Sequence, residues 1–197
     1  MYNDNQLYLD LKKSPYGEKL FYYLENLDYD ILYKSSIHGK THIIRTVTYG
    51  SVIAMGEGYS MDDTDLLLLC CSYHDIGRVN DKYCIEHGKN AADLILSGKV
   101  KSFDAINGDS LNIALASISA HSDIDNNIPI YMRLYNVSDT DRFYRIVNAL
   151  KDADNLDRVR VGDLDTSFLR TETAKILPDF AQELFDFMTY INTTIND

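Results

Sequence analysis

Apolar residues recur at intervals of three and four along most of this chain, and alternation of apolar and polar residues with a period of two is almost absent. The interval is clear near residue 145, where Phe143, Ile146, Val147 and Leu150 are all apolar. A helix places residues three and four apart on one face, whereas a half-buried strand needs strict alternation. The sequence therefore predicts an all-α bundle and argues against a sheet of any size.

Capping residues and glycines predict where the helices begin and end. Ser60 and Ser138 are expected as N-caps, and Gly58 and Gly98 as helix ends. Residues 123–137 are polar and contain a proline, so we expect a loop there. Helices are predicted at 16–29, 40–58, 60–76, 86–96, 110–121, 138–157 and 171–195, the last interrupted or restarted at Pro178.

Length, composition and charge limit the classes of protein to consider. The 197 residues, 45% of them hydrophobic, are enough for one core, so a single domain is expected over 1–197. The 19 basic and 30 acidic residues give a net charge of -11. Such a charge disfavours broad binding to nucleic acid or to anionic lipid. An anionic substrate would therefore need a local positive site, which a metal ion and a few arginines can supply.

Nothing in the sequence directs the chain to export or to a membrane. The N-terminal residues 1–6 are polar and lack the order of a signal peptide, and the longest apolar run, Leu66–Cys71, is far too short to span a bilayer. Cys70 and Cys71 are neighbours on an expected core helix and Cys84 stands apart, so no Cys-x-x-Cys pair is formed. We therefore expect reduced, core or near-core thiols and a cytoplasmic protein.

The chemistry-bearing residues are concentrated in one part of the chain. All five histidines lie between residues 38 and 121, and an adjacent His74-Asp75 pair ends the strongly apolar run. An imidazole beside a carboxylate suits a first-row divalent metal better than magnesium or calcium. His38, His42 and Arg45 follow one another at steps of four and three, so they would share one side of a helix that began early enough.

The order of these residues resembles the HD superfamily of metal-dependent phosphohydrolases, an all-helical fold that holds metal between its helices. The resemblance covers roughly residues 36–160. Five segments carry it: His42-Ile-Ile-Arg45-Thr-Val, His74-Asp75-Ile-Gly-Arg78, His87-Gly-Lys-Asn-Ala-Ala, Ser119-Ala-His121 and Asp152-Ala-Asp154-Asn-Leu-Asp. The segments around the two additional histidines, His87 and His121, most resemble those of the dinuclear branch, the small bacterial diadenosine-tetraphosphate hydrolases, where a di-iron centre is expected.

The resemblance implies a function, a cofactor and a set of site residues. It implies cleavage of a phosphoanhydride or phosphoester bond, in a nucleotide or a related small phosphorylated molecule, by metal-activated hydroxide. Two divalent first-row ions (Fe, Mn, Zn, Ni or Co) would be held by His42, His74, Asp75, His87, His121 and Asp154, with Asp75 bridging them. Asp75 and Arg78 would be the catalytic residues. Arg78, Lys82 and Arg158, with Arg160 as an alternative, would bind substrate phosphates, and Arg45 would brace a ligand carboxylate.

Arg78 departs from the pattern, because the similar hydrolases usually have lysine there. An arginine binds phosphate but does not readily release a proton near neutral pH, which argues against a general-acid role.

Other interpretations stay open at this point. An HD-type di-iron oxygenase shares the same order of ligands, and a sensor could bind metal and nucleotide without turnover. Asp152 is the alternative to Asp154 as the last ligand. The three acidic residues in this turn, Asp152, Asp154 and Asp157, do not favour packing of the turn into the core. His38 is interpreted as a structural or pocket-rim histidine, His87 and His121 could instead pack, and Arg158, Arg160 and Arg170 could be surface charges. The oligomeric state is not predicted.

Overall fold

The computed structural model describes residues 6–195 and confirms the all-α fold. Residues 6–195 form ten α-helices, joined by short 3-10 turns and loops, and contain no β-strand. The helices are α1 (Gln6–Lys12), α2 (Pro15–Glu25), α3 (Lys40–Gly56), α4 (Met61–Tyr73), α5 (Glu86–Leu96), α6 (Gly108–His121), α7 (Ile128–Leu134), α8 (Thr140–Leu156), α9 (Glu172–Lys175) and α10 (Pro178–Ile195).

Four helices form the centre of the bundle. Helix α3 packs against α2, α4 and α8, while α6 packs against α4, α5 and α8. Helices α3 and α4 are buried around most of their circumference, which is expected of a helix that is apolar or small on all sides. Five of the six candidate metal ligands lie on α3, α4, α6 and α8 or at their ends, and His87 lies on α5, which packs on α6. The site is therefore built into the core.

The predicted ends of several helices are confirmed. The Ser60 side chain accepts a hydrogen bond from the backbone N–H of Asp63 and caps α4. Gly58 and Gly98 follow α3 and α5 with positive φ angles of 64° and 73°, a conformation that glycine adopts without steric cost. The C-terminal helix does restart at Pro178, after the short helix α9.

Other predicted boundaries were wrong. Residues 123–137 are not only a loop, because they contain α7, and Pro129 lies in its first turn, where the missing N–H costs nothing. Helix α8 is capped by Asp139, whose carboxylate accepts from the backbone N–H of Arg142, and not by Ser138. The first predicted helix ends at Glu25.

The acidic residues at the end of α8 pack into the protein, contrary to expectation. Asp152 and Asp157 are both fully buried. Asp152 accepts hydrogen bonds from the backbone N–H groups of Arg170 and Thr171 and fixes the segment that leads to α9. A buried carboxylate is tolerated when such partners replace its water, so Asp152 serves the fold and not the metal site.

Within residues 6–195, no helix combines the length and apolar character that crossing a membrane requires. The prediction about export rests mainly on residues 1–5, which lie outside the described residues. Cys70 and Cys71 are buried and Cys84 is half-buried, and all three are free thiols.

Candidate metal centre

Six side chains from five helices meet in one buried cluster. His42 lies in the first turn of α3, and His74 and Asp75 directly follow α4. His87 lies in the first turn of α5, His121 ends α6, and Asp154 lies in the last turn of α8. The structure therefore brings together all six residues that were predicted as metal ligands.

The cluster contains one pair of facing histidines close to Asp154. His42 Nε2 and His74 Nε2 are 3.2 Å apart. Asp154 Oδ1 lies 3.4 Å from His42 Nε2 and 3.8 Å from His74 Nε2, and its side chain is 28% exposed, so this side of the cluster reaches solvent. These three residues could hold one metal ion.

A second pair of facing histidines lies on the other side of Asp75. His87 Nε2 and His121 Nε2 are 2.9 Å apart, and Asp75 Oδ1 is 3.0 Å from the first and 3.7 Å from the second. The other oxygen, Asp75 Oδ2, is 3.6 Å from His42 Nε2. Asp75 therefore presents one carboxylate oxygen to each histidine pair, as a bridging ligand would.

In each of the four histidines, the second ring nitrogen, Nδ1, faces an oxygen that can accept a hydrogen bond but cannot donate one. The Nδ1 atoms of His74, His87 and His121 lie 2.9, 2.6 and 2.6 Å from the backbone carbonyl three residues earlier in the chain. His42 Nδ1 lies 2.7 Å from a carboxylate oxygen of Asp157. These contacts place the proton on Nδ1 and leave the Nε2 lone pairs for a metal, as in known histidine metal sites.

This arrangement fits metal ions better than it fits hydrogen bonding. Two Nε2 lone pairs cannot hydrogen-bond each other, yet they face each other at 2.9 and 3.2 Å. Two nitrogens bound to one ion at 2.0–2.1 Å would be about 2.9–3.4 Å apart, for angles between square and tetrahedral. Asp75 Oδ1 is buried and accepts no hydrogen bond from the described residues. The buried histidine and aspartate groups could therefore hold metal ions.

The electrostatics of the cluster also favour a cation. Burial alone would raise the pKa of Asp75 and of Asp154, but the neighbouring histidines, His74 first among them, outweigh it and hold both pKa values well below the ordinary one. Burial would lower the pKa of His74, yet the charge of Asp75 and the contact with Asp154 raise it. Burial lowers the pKa of His42, and that of His121 to about 4. The cluster thus contains two ionised carboxylates, which attract positive charge.

The sequence did not single out Asp157, which supports the cluster from behind. One carboxylate oxygen accepts from His42 Nδ1 and from Arg45 Nη2 at 2.9 Å, and the other accepts from Arg45 Nε at 2.5 Å. Arg160 Nη1 donates to the same side chain at 3.2 Å. Arg45 therefore braces a carboxylate that orients a ligand, and not a ligand carboxylate as predicted. The position of Asp157, three residues after Asp154 in the same motif, was the signal in the sequence that could have indicated this role.

The predicted phosphate-binding residues lie in different surroundings. Arg78 Nε is 2.8 Å from Asp75 Oδ1 without the alignment of a hydrogen bond, so Arg78 is at the site. Lys82 is exposed in the loop between α4 and α5. Arg158 is about half exposed and pairs with Asp163, as a surface charge does. Arg170, which was also weighed as a surface charge, is mostly buried and pairs with Asp125 and Asp152.

His38 precedes α3 but still reaches the cluster. Helix α3 begins at Lys40, so His38 does not share a helix face with His42. Its Nδ1 atom lies 3.1 Å from Asp75 Oδ2 and 3.2 Å from Arg160 Nη2, and its side chain is 13% exposed. This placement agrees with a histidine at the rim of the pocket, and His38 also forms, with His42 and Asp75, a group that could hold a metal ion.

Lys151 fixes the end of α6 beside His121. Its buried ammonium group donates to the carbonyl oxygens of Ala120 at 3.1 Å and His121 at 3.4 Å, and to that of Asp123. Ala120 and His121 end α6, where the helix itself supplies no N–H for their carbonyls, so the lysine helps to cap the helix beside His121.

The second histidine pair depends on close approach of α5 and α6 at Gly88. A Cβ at this position would collide with the carbonyl oxygen of Ile118 and lie 3.0 Å from His121 Nδ1. We expect Gly88→Ala to lower stability by about 1–3 kcal/mol through overpacking. We also expect it to separate His87 from His121 and to reduce the bound metal by one equivalent, as measured by thermal unfolding and elemental analysis.

Asn90→Ala is the matched control, because Asn90 is exposed on the same helix. It should keep wild-type stability and metal content. A Gly88→Ala protein with the metal content of the Asn90→Ala protein would show that the approach of the two helices does not set the ligand geometry.

Comparison with protein-family models, with curated proteins and with solved structures finds no match for this chain.

Proposed function

We propose that the protein is a metal-dependent phosphohydrolase of the HD type, acting on a phosphoanhydride or phosphoester bond of a nucleotide or a related small phosphorylated molecule. One observation carries the proposal: four histidine Nε2 atoms form two facing pairs, with one carboxylate oxygen of Asp75 directed to each. Two first-row divalent ions fit such a donor set.

The protein's residues would divide between the two ions. His42, His74 and Asp154 would hold one ion, His87 and His121 the other, and Asp75 would touch both. When bound, such a pair of ions polarises phosphate oxygens and lowers the pKa of water, which supplies a nucleophile near neutral pH. Asp157 and the three backbone carbonyls would keep the histidine rings in place during the reaction.

The charged groups around the cluster suit a phosphorylated substrate. The side chain of Arg78 is 10% exposed and lies against Asp75, with its Nε atom 2.8 Å from the Oδ1 oxygen that would hold one of the ions. It would donate to a phosphate oxygen and keep its own proton, since an arginine is charged at all relevant pH values. Elsewhere the net charge of -11 repels anions, so binding would depend on the ions and these few cations. A cytoplasmic location, in keeping with buried free thiols, belongs to the same proposal.

Metal analysis combined with a turnover screen tests the proposal. We expect about two equivalents of first-row metal per chain. We also expect phosphate or nucleotide release from at least one member of a panel of mono-, di- and dinucleoside polyphosphates, and loss of this release with a chelator. Activity should return when the metal is restored.

His42→Ala and His38→Ala are the paired variants for this test. His42 is one of the six proposed ligands and should be needed for metal and turnover, whereas His38 is not among them and should leave the metal content unchanged. Consumption of dioxygen without hydrolysis would support a di-iron oxygenase instead. A nucleotide complex that persists for days without turnover would support a sensor, and a protein that binds no metal would contradict all three functions.

A further inference from the structure

A separate cavity of about 350 Å³ is lined by Arg45 and Arg160, whose shared partner Asp157 contacts His42 Nδ1. It is formed by the residues before and at the start of α3, by the turn after α8 and by α10. The described residues that line it are Ser36, Ile37, Thr41, Arg45, Arg160, Val161, Phe185, Thr189 and Thr193. None of the six candidate metal ligands is among them, so this cavity is distinct from the metal centre.

Two buried arginines give the cavity a positive wall. Arg45 is 4% exposed and the Arg160 side chain 9% exposed, and the single carboxylate they share is that of Asp157. Two guanidinium charges against one carboxylate leave an excess of positive charge. The described lining residues include no acidic side chain that could neutralise it. A buried excess charge is costly unless an anion compensates it.

These arginines also keep unused hydrogen-bond donors. Arg160 donates from Nη1 to Asp157 and contacts His38 through Nη2, but its buried Nε has no acceptor among the described residues. Arg45 uses Nε and Nη2 for Asp157, which leaves the two Nη1 donors for another acceptor. An arginine that is nine-tenths buried with an unsatisfied donor indicates a missing acceptor.

The remaining walls suit a phosphate group attached to an organic part. The hydroxyl groups of Ser36, Thr41 and Thr189 can donate to phosphate oxygens. Thr41 lies in the first turn of α3, and Gly39, which precedes that helix, provides no side-chain cap for the free N–H groups. Ile37 and Phe185 are apolar, and Phe185 already packs on the Arg45 guanidinium at 5.3 Å.

We infer that this cavity is a second ligand site, which binds a small phosphomonoester through Arg45 and Arg160. Its volume falls within the range of small-molecule sites and exceeds what a phosphate group alone needs. The site goes beyond the proposed hydrolysis, because its ligand would be bound and not cleaved there.

Calorimetric titration with the phosphonate analogue of AMP tests the inference, since its P–C bond resists hydrolysis. The metal-loaded wild-type protein should bind two equivalents, one at the metal centre and one in the cavity. Thr189→Trp fills the cavity from α10, and Ser36→Trp fills it from the segment before α3. Each should lose one equivalent, or bind it at least about tenfold more weakly, and should keep the metal content.

Thr194→Trp is the matched control, because Thr194 is an exposed residue of α10 that does not line the cavity. It should bind two equivalents. Equal stoichiometry in the wild-type, Thr189→Trp and Ser36→Trp proteins would overturn the inference. Inorganic phosphate tests whether the ligand carries an organic group. If phosphate binds in the cavity as tightly as the phosphonate, the inferred organic group is wrong; if it binds at least about tenfold more weakly, the organic group is supported. Because the readout is stoichiometry, it does not depend on whether the enzyme hydrolyses any substrate.

Discussion

Asp75→Ala is expected to lower turnover by several orders of magnitude while leaving a folded protein. Asp75 is the one carboxylate with an oxygen near each histidine pair, at 3.0 Å from His87 Nε2 and 3.6 Å from His42 Nε2. If the proposed function is right, its removal weakens both proposed ion sites at once and removes the chemistry that depends on them. The fold should survive, because the loss also relieves the crowding of two ionised carboxylates in one buried site.

Elemental analysis, circular dichroism and turnover on the substrate found in the screen measure this result. The variant should hold at most one metal ion and keep a helical spectrum. Near-normal turnover of Asp75→Ala would show that the cluster is not the catalytic centre.

Arg78→Ala is the control that separates binding from chemistry. Arg78 lies against Asp75 but is not a ligand, so this variant should keep both ions. It should raise the Michaelis constant by the loss of about 1.5–3 kcal/mol for a charge-assisted contact with phosphate. If Arg78→Ala loses its metal as fully as Asp75→Ala does, Arg78 has a structural role in the site.

The six proposed ligands were predicted from a resemblance in the order of the residues, and the local sequence adds where three of the histidines lie relative to helix ends. Helical spacing and glycine ends place His74 and His121 at the ends of helices and His87 at the start of one. At the end of a helix the last carbonyls are free, and the Nδ1 atoms of His74 and His121 bond to such carbonyls three residues back. A short-range pattern was therefore enough to orient these two rings.

Asp157 could not be predicted in the same way, because its role depends on distant parts of the chain. It contacts His42 across 115 positions and Arg45 across 112. Whether a carboxylate is buried depends on how the helices pack together. Three closely spaced acidic residues are typical of a solvated surface, so the sequence did not predict burial here. The negative charge of Asp157, which seemed unfavourable for packing, is instead compensated by the guanidinium groups of Arg45 and Arg160.

The different partners of Arg158 and Arg160 also depend on geometry that the sequence does not show. Residues Asp157–Val161 form a 3-10 turn, in which side chains three apart lie on the same side. Arg160 therefore stands over Asp157, and Arg158 points to Asp163 at the surface. The sequence does not reveal where α8 changes from an α-helix to this tighter turn.

Asp157→Asn is expected to cause the largest loss of stability. The asparagine keeps the shape of the side chain but removes the charge that both Arg45 and Arg160 contact, and all three side chains are at least nine-tenths buried. Breaking a buried ion pair from one side costs about 3–5 kcal/mol, because the remaining charge has no water and no partner. For a chain of this length, such a loss lowers the midpoint of thermal unfolding by about 6–20 °C.

Asp163→Asn is the matched control, since Asp163 also pairs with an arginine but at the surface, where both side chains are about half exposed. An exposed pair contributes at most about 1 kcal/mol, so this variant should unfold near the wild-type temperature. Equal midpoints for the two variants would mean that Asp157 is not the partner on which the buried arginines depend.

The same substitution should also weaken metal binding, because Asp157 accepts from His42 Nδ1 and thereby fixes the ring that faces His74. Loss of a group that orients a histidine ligand lowers metal affinity by about 10- to 100-fold. Competition with a chelator, at a temperature where the variant is still folded, separates this effect from unfolding. An Asp157→Asn protein that is destabilised yet binds metal with wild-type affinity would limit Asp157 to neutralising the arginines, and His42 would then be oriented by packing alone.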